Sequence, residues 1–262
     1  MKLSRREAMA TIGGALAGLT MGSSVGFSAT DTAKSKKDDG KIPQFWTPHK
    51  LDPAETAQLA YNYFYQHGRG CCYGVFASVI GQMAEKYGAP YNTFPLFMMK
   101  FGYSGVSNWG TLCGALMGAS AMYALFYYRT DRDPMIDELF TWYEKTALPI
   151  YAPPKPVLAF ECKQTTAQSV LCHNSVSQWS FASGHDMHSK ERSERCARLT
   201  AEVAFKTVEI LNAKIDNKFA FSGYSESVKY CGTCHGRGKE SDIAKGKMDC
   251  QPCHSDKFKD HP

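Results

Sequence analysis

Two short stretches near the end of the chain carry the plainest chemistry: Cys231-Gly-Thr-Cys234-His235 and Cys250-Gln-Pro-Cys253-His254. Two thiols separated by two residues can each add to one vinyl group along an edge of a porphyrin. The histidine that follows then reaches the iron from one face. C-x-x-C-H is therefore the attachment pattern of a c-type haem, with Cys231, Cys234, Cys250 and Cys253 as thioether donors and His235 and His254 as proximal ligands. The four cysteines also fit a zinc-ribbon spacing, C-x2-C-x15-C-x2-C, but four-cysteine zinc has no use for a histidine after each pair. Two haem groups on so short a segment cannot both be buried by it alone. They must lean on each other, on the rest of the chain or on a second subunit.

The other end of the chain bears on where such chemistry is done. Ser4-Arg5-Arg6-Glu7-Ala8 precedes an uncharged run from Ala8 to Ala29 rich in Ala, Gly, Leu and Met. A basic start, an apolar middle and a small-residue end read as an export signal, residues 1–29, and the twin arginine points to the Tat route into the periplasm. Removing it takes away Lys2, Arg5, Arg6 and Glu7 and lowers the formal charge from +5 to +3, too slight a balance to argue for nucleic acid. Haem attachment outside the cytoplasm agrees with export. Tat carries folded cargo, which motivates a further centre, plausibly iron–sulfur, loaded before export.

Between these ends the reading is all-α, with a helical core over residues 51–215 and a mostly irregular haem-binding segment over 216–262. Residues 30–50 read as a mobile leader, charged and almost free of apolar side chains over 30–44, with order beginning near Phe45-Trp46. Asp52-Pro53-Ala54-Glu55 is a helix start, with Asp52 as N-cap and Pro53 in the first turn. A second helix is expected from Cys71 to about Tyr87 and a short one over residues 92–99. The uncharged stretch Tyr103–Tyr128 reads as a buried helix in which Gly110, Gly114 and Gly118 allow a close neighbour. An amphipathic helix follows over residues 131–146, then one around residues 168–179 and a long one over 189–213. After residue 216 large apolar side chains are too few for an independent core, and covalent haem would supply the missing apolar surface.

Six cysteines remain: Cys71, Cys72, Cys113, Cys162, Cys172 and Cys196. Disulfides, inert core thiols and an iron–sulfur cluster all fit them. Cys71-Cys72 at a helix start favours thiolate for at least one sulfur. Cys196, within Glu191-Arg-Ser-Glu-Arg-Cys-Ala-Arg, is the poorest ligand on its charged surroundings.

Gly70-Cys-Cys-Tyr-Gly-Val-Phe, Leu112-Cys-Gly-Ala-Leu-Met-Gly118, Cys162 and Cys172 together resemble the redox-active family named for its C…GCAxxG…C…C pattern. Leu112 stands where that pattern has glycine. Cys172-His-Asn-Ser-Val-Ser-Gln-Trp179, Glu194-Arg-Cys-Ala-Arg-Leu199 and the two C-x-x-C-H motifs narrow the resemblance to the split-Soret cytochrome c type. The resemblance implies a homodimeric periplasmic electron-transfer protein with two c-haems per subunit. It further implies that the haems pack against one another, low-spin, with two histidine ligands each. A cluster is a further implication, with Cys72, Cys113, Cys162 and Cys172 as its candidate ligands. The distal imidazoles would come from His49, His67, His173, His185, His188 or His261, with His173 and His49 preferred. Electron transfer asks for no bond-making residue, so this is an electron carrier before it is an enzyme. A haem enzyme with one open axial site is the rival reading.

Overall fold

The computed structural model describes residues 45–254 except Arg69, without the His67 side chain; the export signal, residues 30–44 of the leader and His261 lie outside them. The fold is all-α, eight helices among the described residues with a single two-residue antiparallel pairing, β1 Ala147–Leu148 with β2 Thr165–Thr166. α1 is Pro53–Tyr65, α2 Gly70–Tyr87, α3 Gly114–Phe126, α4 Arg129–Lys145, α5 Cys172–Ser183, α6 Lys190–Ile215, α7 Glu226–His235 and α8 Gln251–His254. No described helix is long and apolar enough to cross a membrane.

The core is built from α1, α2, α3 and α6, with α4 laid against α3 and α6. Helix starts follow the sequence signals. The Asp52 side chain accepts the Glu55 N–H at 2.8 Å with Pro53 in the first turn, and Ser189 accepts the Arg192 N–H at 3.1 Å at the start of α6. Small residues let α1 and α6 close up, Ala57 and Tyr61 meeting Ala197 and Ala201. Asn212 clamps the entry to α1, its amide exchanging two hydrogen bonds with the Leu51 backbone.

Two segments depart from expectation. Residues 92–99 form no α-helix but two 3-10 turns, Tyr91–Thr93 and Leu96–Gly102. The uncharged stretch is helical only from Gly114. Before it, Ser104, Gly105, Val106, Ser107, Asn108 and Gly110 all take positive φ, a left-handed winding that no α-helix contains. Residues 45–50, the end of the leader, are packed, in line with the expected onset of order near Phe45-Trp46: the Trp46 N–H donates to Leu125 O at 2.9 Å, and His49 stacks on Tyr87 with ring centres 3.7 Å apart.

Gly114 and Gly118 do serve close approach. A Cβ on Gly118 would collide with the Cys72 carbonyl of α2, and one on Gly114 with Cys71 Sγ and the Gly102 carbonyl. Gly110 is not on that helix and faces His173.

Candidate metal centres

Two groups of cysteines are assembled by the fold. The first surrounds a cavity of about 640 Å3, lined by Cys71, Cys113, Cys172 and Cys196 together with Arg195 and His173. Local structure explains the convergence. Leu112 and Leu171 form an antiparallel bridge, the Cys113 N–H donating to Val170 O and the Cys172 N–H to Thr111 O. That pairing sets Cys113 and Cys172 at the starts of α3 and α5 on one wall. Cys71 lies in the first turn of α2, and Cys196 looks in from the middle of α6.

Three of the four sulfurs therefore sit at helix N-termini, where the helix dipole favours negative charge. Desolvation outweighs it in the thiols as they stand. Burial pushes the Cys71 thiol well above its ordinary range and Cys172 to about 12. Burial also raises Cys113, against hydrogen bonds from Tyr143 and the backbone of Ala115. A positively charged metal is what such a site needs to hold its sulfurs as thiolates. Among the described residues no three His, Cys, Asp or Glu side chains are gathered tightly enough to grip one ion. Sulfurs spread over the wall of a cavity this size suit a centre of several atoms better.

The sequence-based candidates divide here. Cys113 and Cys172 line the cavity; Cys72 and Cys162 do not. One position along α2 turns a side chain by about 100°, and this carries Cys72 into the core, where its sulfur faces Gly102. Cys162 lies on the extended stretch before β2, half-buried near Arg198 and Arg195. Cys71 and Cys196 take the other two places. The signal for Cys196 was present: with Leu199 and Val203 it continues the apolar stripe of α6, and although Glu194 turns away to Tyr61 and Tyr65, Arg192 and Arg195 share its cavity wall.

The second group is the tail. Cys231, Cys234 and His235 occupy the last turn of α7, and Cys253 and His254 end α8. Burial and the neighbouring Cys231 thiol both push the Cys250 thiol upward, so the two motifs lie side by side. Cys234 and Cys253 are exposed, open to a macrocycle arriving from outside. His235 Nδ1 lies 3.1 Å from the Ser241 carbonyl. Donation there fixes the tautomer and leaves Nε2 for iron, as in other histidine–metal sites. The tail is stitched to α4: Tyr224 and Lys247 both bond Asp137, Ser222 bonds Glu138, and the Asp249 N–H reaches Glu144 at 3.4 Å.

Of the distal candidates, His173 lines the cysteine cavity and His49 packs between Tyr87 and Tyr91. His185 stacks on Trp179, and His188 is on the cavity wall.

Residues 71–210, more than half of the chain, match the family model described as "Putative redox-active protein (C_GCAxxG_C_C)". That stretch contains all four cavity cysteines and ends before the tail. The split-Soret cytochrome c of Desulfovibrio desulfuricans is 43% identical over 279 aligned positions, covering 100% of both chains. A solved structure, reported as a novel iron centre in the split-Soret cytochrome c of Desulfovibrio desulfuricans, is similar with a TM-score of 0.78. It is 48% identical, over 83% of this chain and 95% of that one. Helical core, cysteine-lined cavity and paired haem motifs thus occur together in a chain that belongs to the split-Soret cytochrome c family.

Proposed function

We propose that this protein is an exported dihaem c-type cytochrome that passes single electrons between periplasmic redox partners and carries, in addition, a sulfur-ligated iron centre. The observation that carries the haem reading is the juxtaposition of the two C-x-x-C-H motifs, with Cys231 against Cys250 and His235 oriented by the Ser241 carbonyl. Bound haem supplies the electron chemistry. The chain's part is to fix each group by two thioethers and one histidine, to hold the pair close, and to anchor both on α4. Two further imidazoles, for which His173 and His49 are the candidates, would complete low-spin ligation.

The second centre rests on the cavity. Cys71, Cys113, Cys172 and Cys196 are the four thiols that line it, and the iron centre named for the related structure is the group they suit, an iron–sulfur cluster being the form we favour. A homodimer in which haem pairs are shielded by the partner subunit accords with the exposed tail motifs, since the chain alone leaves Cys234, Cys253 and His254 open to solvent. The Arg5-Arg6 signal supports the Tat route.

The test is spectroscopic. Protein matured with its haem-attachment machinery should show two covalent haems per chain by the alkaline pyridine assay, low-spin bands and non-haem iron by chemical analysis. A colourless product holding zinc would overturn the reading. A high-spin haem that binds carbon monoxide readily would turn it towards an enzyme with an open iron.

A further inference from the structure

Arg195 is 1% exposed on α6, beside Cys196, and its guanidinium lines the cysteine cavity. One nitrogen, Nη2, donates to Ser175 Oγ at 2.9 Å, a hydroxyl that also accepts from Tyr143. The other two nitrogens, Nε and Nη1, are buried and have no hydrogen-bond partner. Among the described residues no carboxylate pairs with it. The adjacent Glu194 projects to the opposite side, where Tyr61, Tyr65 and Arg198 bind it. What the Arg195 charge faces instead is the Cys196 and Cys113 thiols and the Tyr143 hydroxyl.

An arginine does not lose its proton in a protein, so burial without an anion is a standing cost that an apolar side chain would avoid. Two buried N–H groups with no oxygen or nitrogen acceptor, on a residue that lines a cavity with four cysteines and lies within reach of the Cys196 sulfur, point to an anion that belongs there. Four thiolates bring four negative charges, more than a ferrous or ferric centre cancels, and with Nη2 held by Ser175 the diverging Nε–H and Nη1–H of the planar guanidinium can each donate to a separate sulfur atom.

We propose that Arg195 is the counter-charge of the iron centre: Nε–H and Nη1–H donate to its sulfurs, and the fixed positive charge favours both its assembly and its reduced form. This rests on the reading of the cavity as an iron site. Arg195 is a positioning and tuning residue, not an iron ligand, and Ser175, itself held by Tyr143, sets the plane of its guanidinium.

The experiment compares iron-loaded wild-type protein with Arg195→Met, of similar length but neutral, and Arg195→Lys, charged but without the planar guanidinium. Redox titration with dithionite and mediators follows the iron centre by electron paramagnetic resonance, with the haem potentials of the same sample as internal reference. In Arg195→Met the centre's midpoint should fall while the haems move far less. Its iron should also dissociate on the order of tenfold more readily, and Arg195→Lys should recover much of the potential. A second readout separates tuning from packing. After non-haem iron is chelated away, Arg195→Met should be at least as stable as wild type, although the loaded variant is less stable than loaded wild type.

An unchanged midpoint in loaded Arg195→Met overturns the proposal. Equal destabilisation with and without iron overturns it too, making Arg195 a packing residue. Failure of both Arg195→Met and Arg195→Gln to fold even in iron-free medium has the same meaning. Wild-type protein with haem but no non-haem iron would instead refute the underlying reading of the cavity, and the proposal with it.

Discussion

At the scale of single residues, the chain separates groups that are charged to be bound from groups that are buried to be kept neutral. Glu144 belongs to the second kind. It is 6% exposed beneath the tail, and burial lifts its carboxyl to about 7, helped by the nearby Asp249 charge and opposed by the Asp249 N–H. A carboxyl with an unfolded value near 4.5 and a folded value near 7 binds more protons when folded. Its contribution is therefore complete below pH 4.5 and is lost as pH rises through 7. Denaturant unfolding of the wild type should weaken across that window by about 3 kcal/mol through this group. Glu144→Gln should remove that portion of the slope. Identical pH profiles for the two proteins would show that Glu144 titrates normally. The residue is silent in the sequence, since Trp142-Tyr-Glu-Lys145 gives no sign that the glutamate turns inward.

At the scale of elements, the contact between α2 and α3 decides the shape of the cysteine cavity. Gly114 begins α3 against Gly102 and the Cys71 sulfur, and the space for a side chain there is already filled by backbone and sulfur. Gly114→Ala gains helix propensity but forces the helices apart. Overpacking of this kind costs about 1–3 kcal/mol, and here it also displaces one of the four sulfurs. The variant should lose non-haem iron and melt lower, while its haem content stays at the wild-type value because the tail does not touch this contact. Full iron retention would mean that the cavity tolerates a wider α2–α3 spacing. The glycines at positions 114 and 118 were legible as a close-approach face. The partner was not, because spacing says that something comes near without saying what. Residues 103–113 show the converse failure: lack of charge reads as a buried helix, yet Gly105 and Gly110 and the pairing with residues 170–172 turn the chain back on itself.

At the scale of the whole molecule, apolar burial is concentrated in the helices that precede residue 216. Past residue 215 the only buried residue among those described is Ser225, and the apolar core lies within residues 51–211. A chain ending at residue 215 should therefore fold cooperatively, with the far-ultraviolet dichroism of a helical protein and a sharp thermal transition. The segment 216–262 by itself, without haem, should show the spectrum of an unfolded peptide. Loss of cooperative melting in the shortened chain would mean that the tail and its docking on α4 complete the fold. The sequence by itself determined the two haem motifs and the helical class. It placed the bounds of most helices to within a few residues, because these depend on neighbours along the chain: thiol spacing, caps, and the period of apolar residues. Which cysteines meet was decided only by the tertiary structure. Cys71 and Cys72 differ by one step of helical phase, and Cys196 is 83 positions from Cys113 in the sequence. Local pattern cannot see either fact, since both depend on how α2, α3, α5 and α6 are rotated against one another. The same packing buried Arg195 with two donors unpaired, in a stretch whose charges read as a solvated surface.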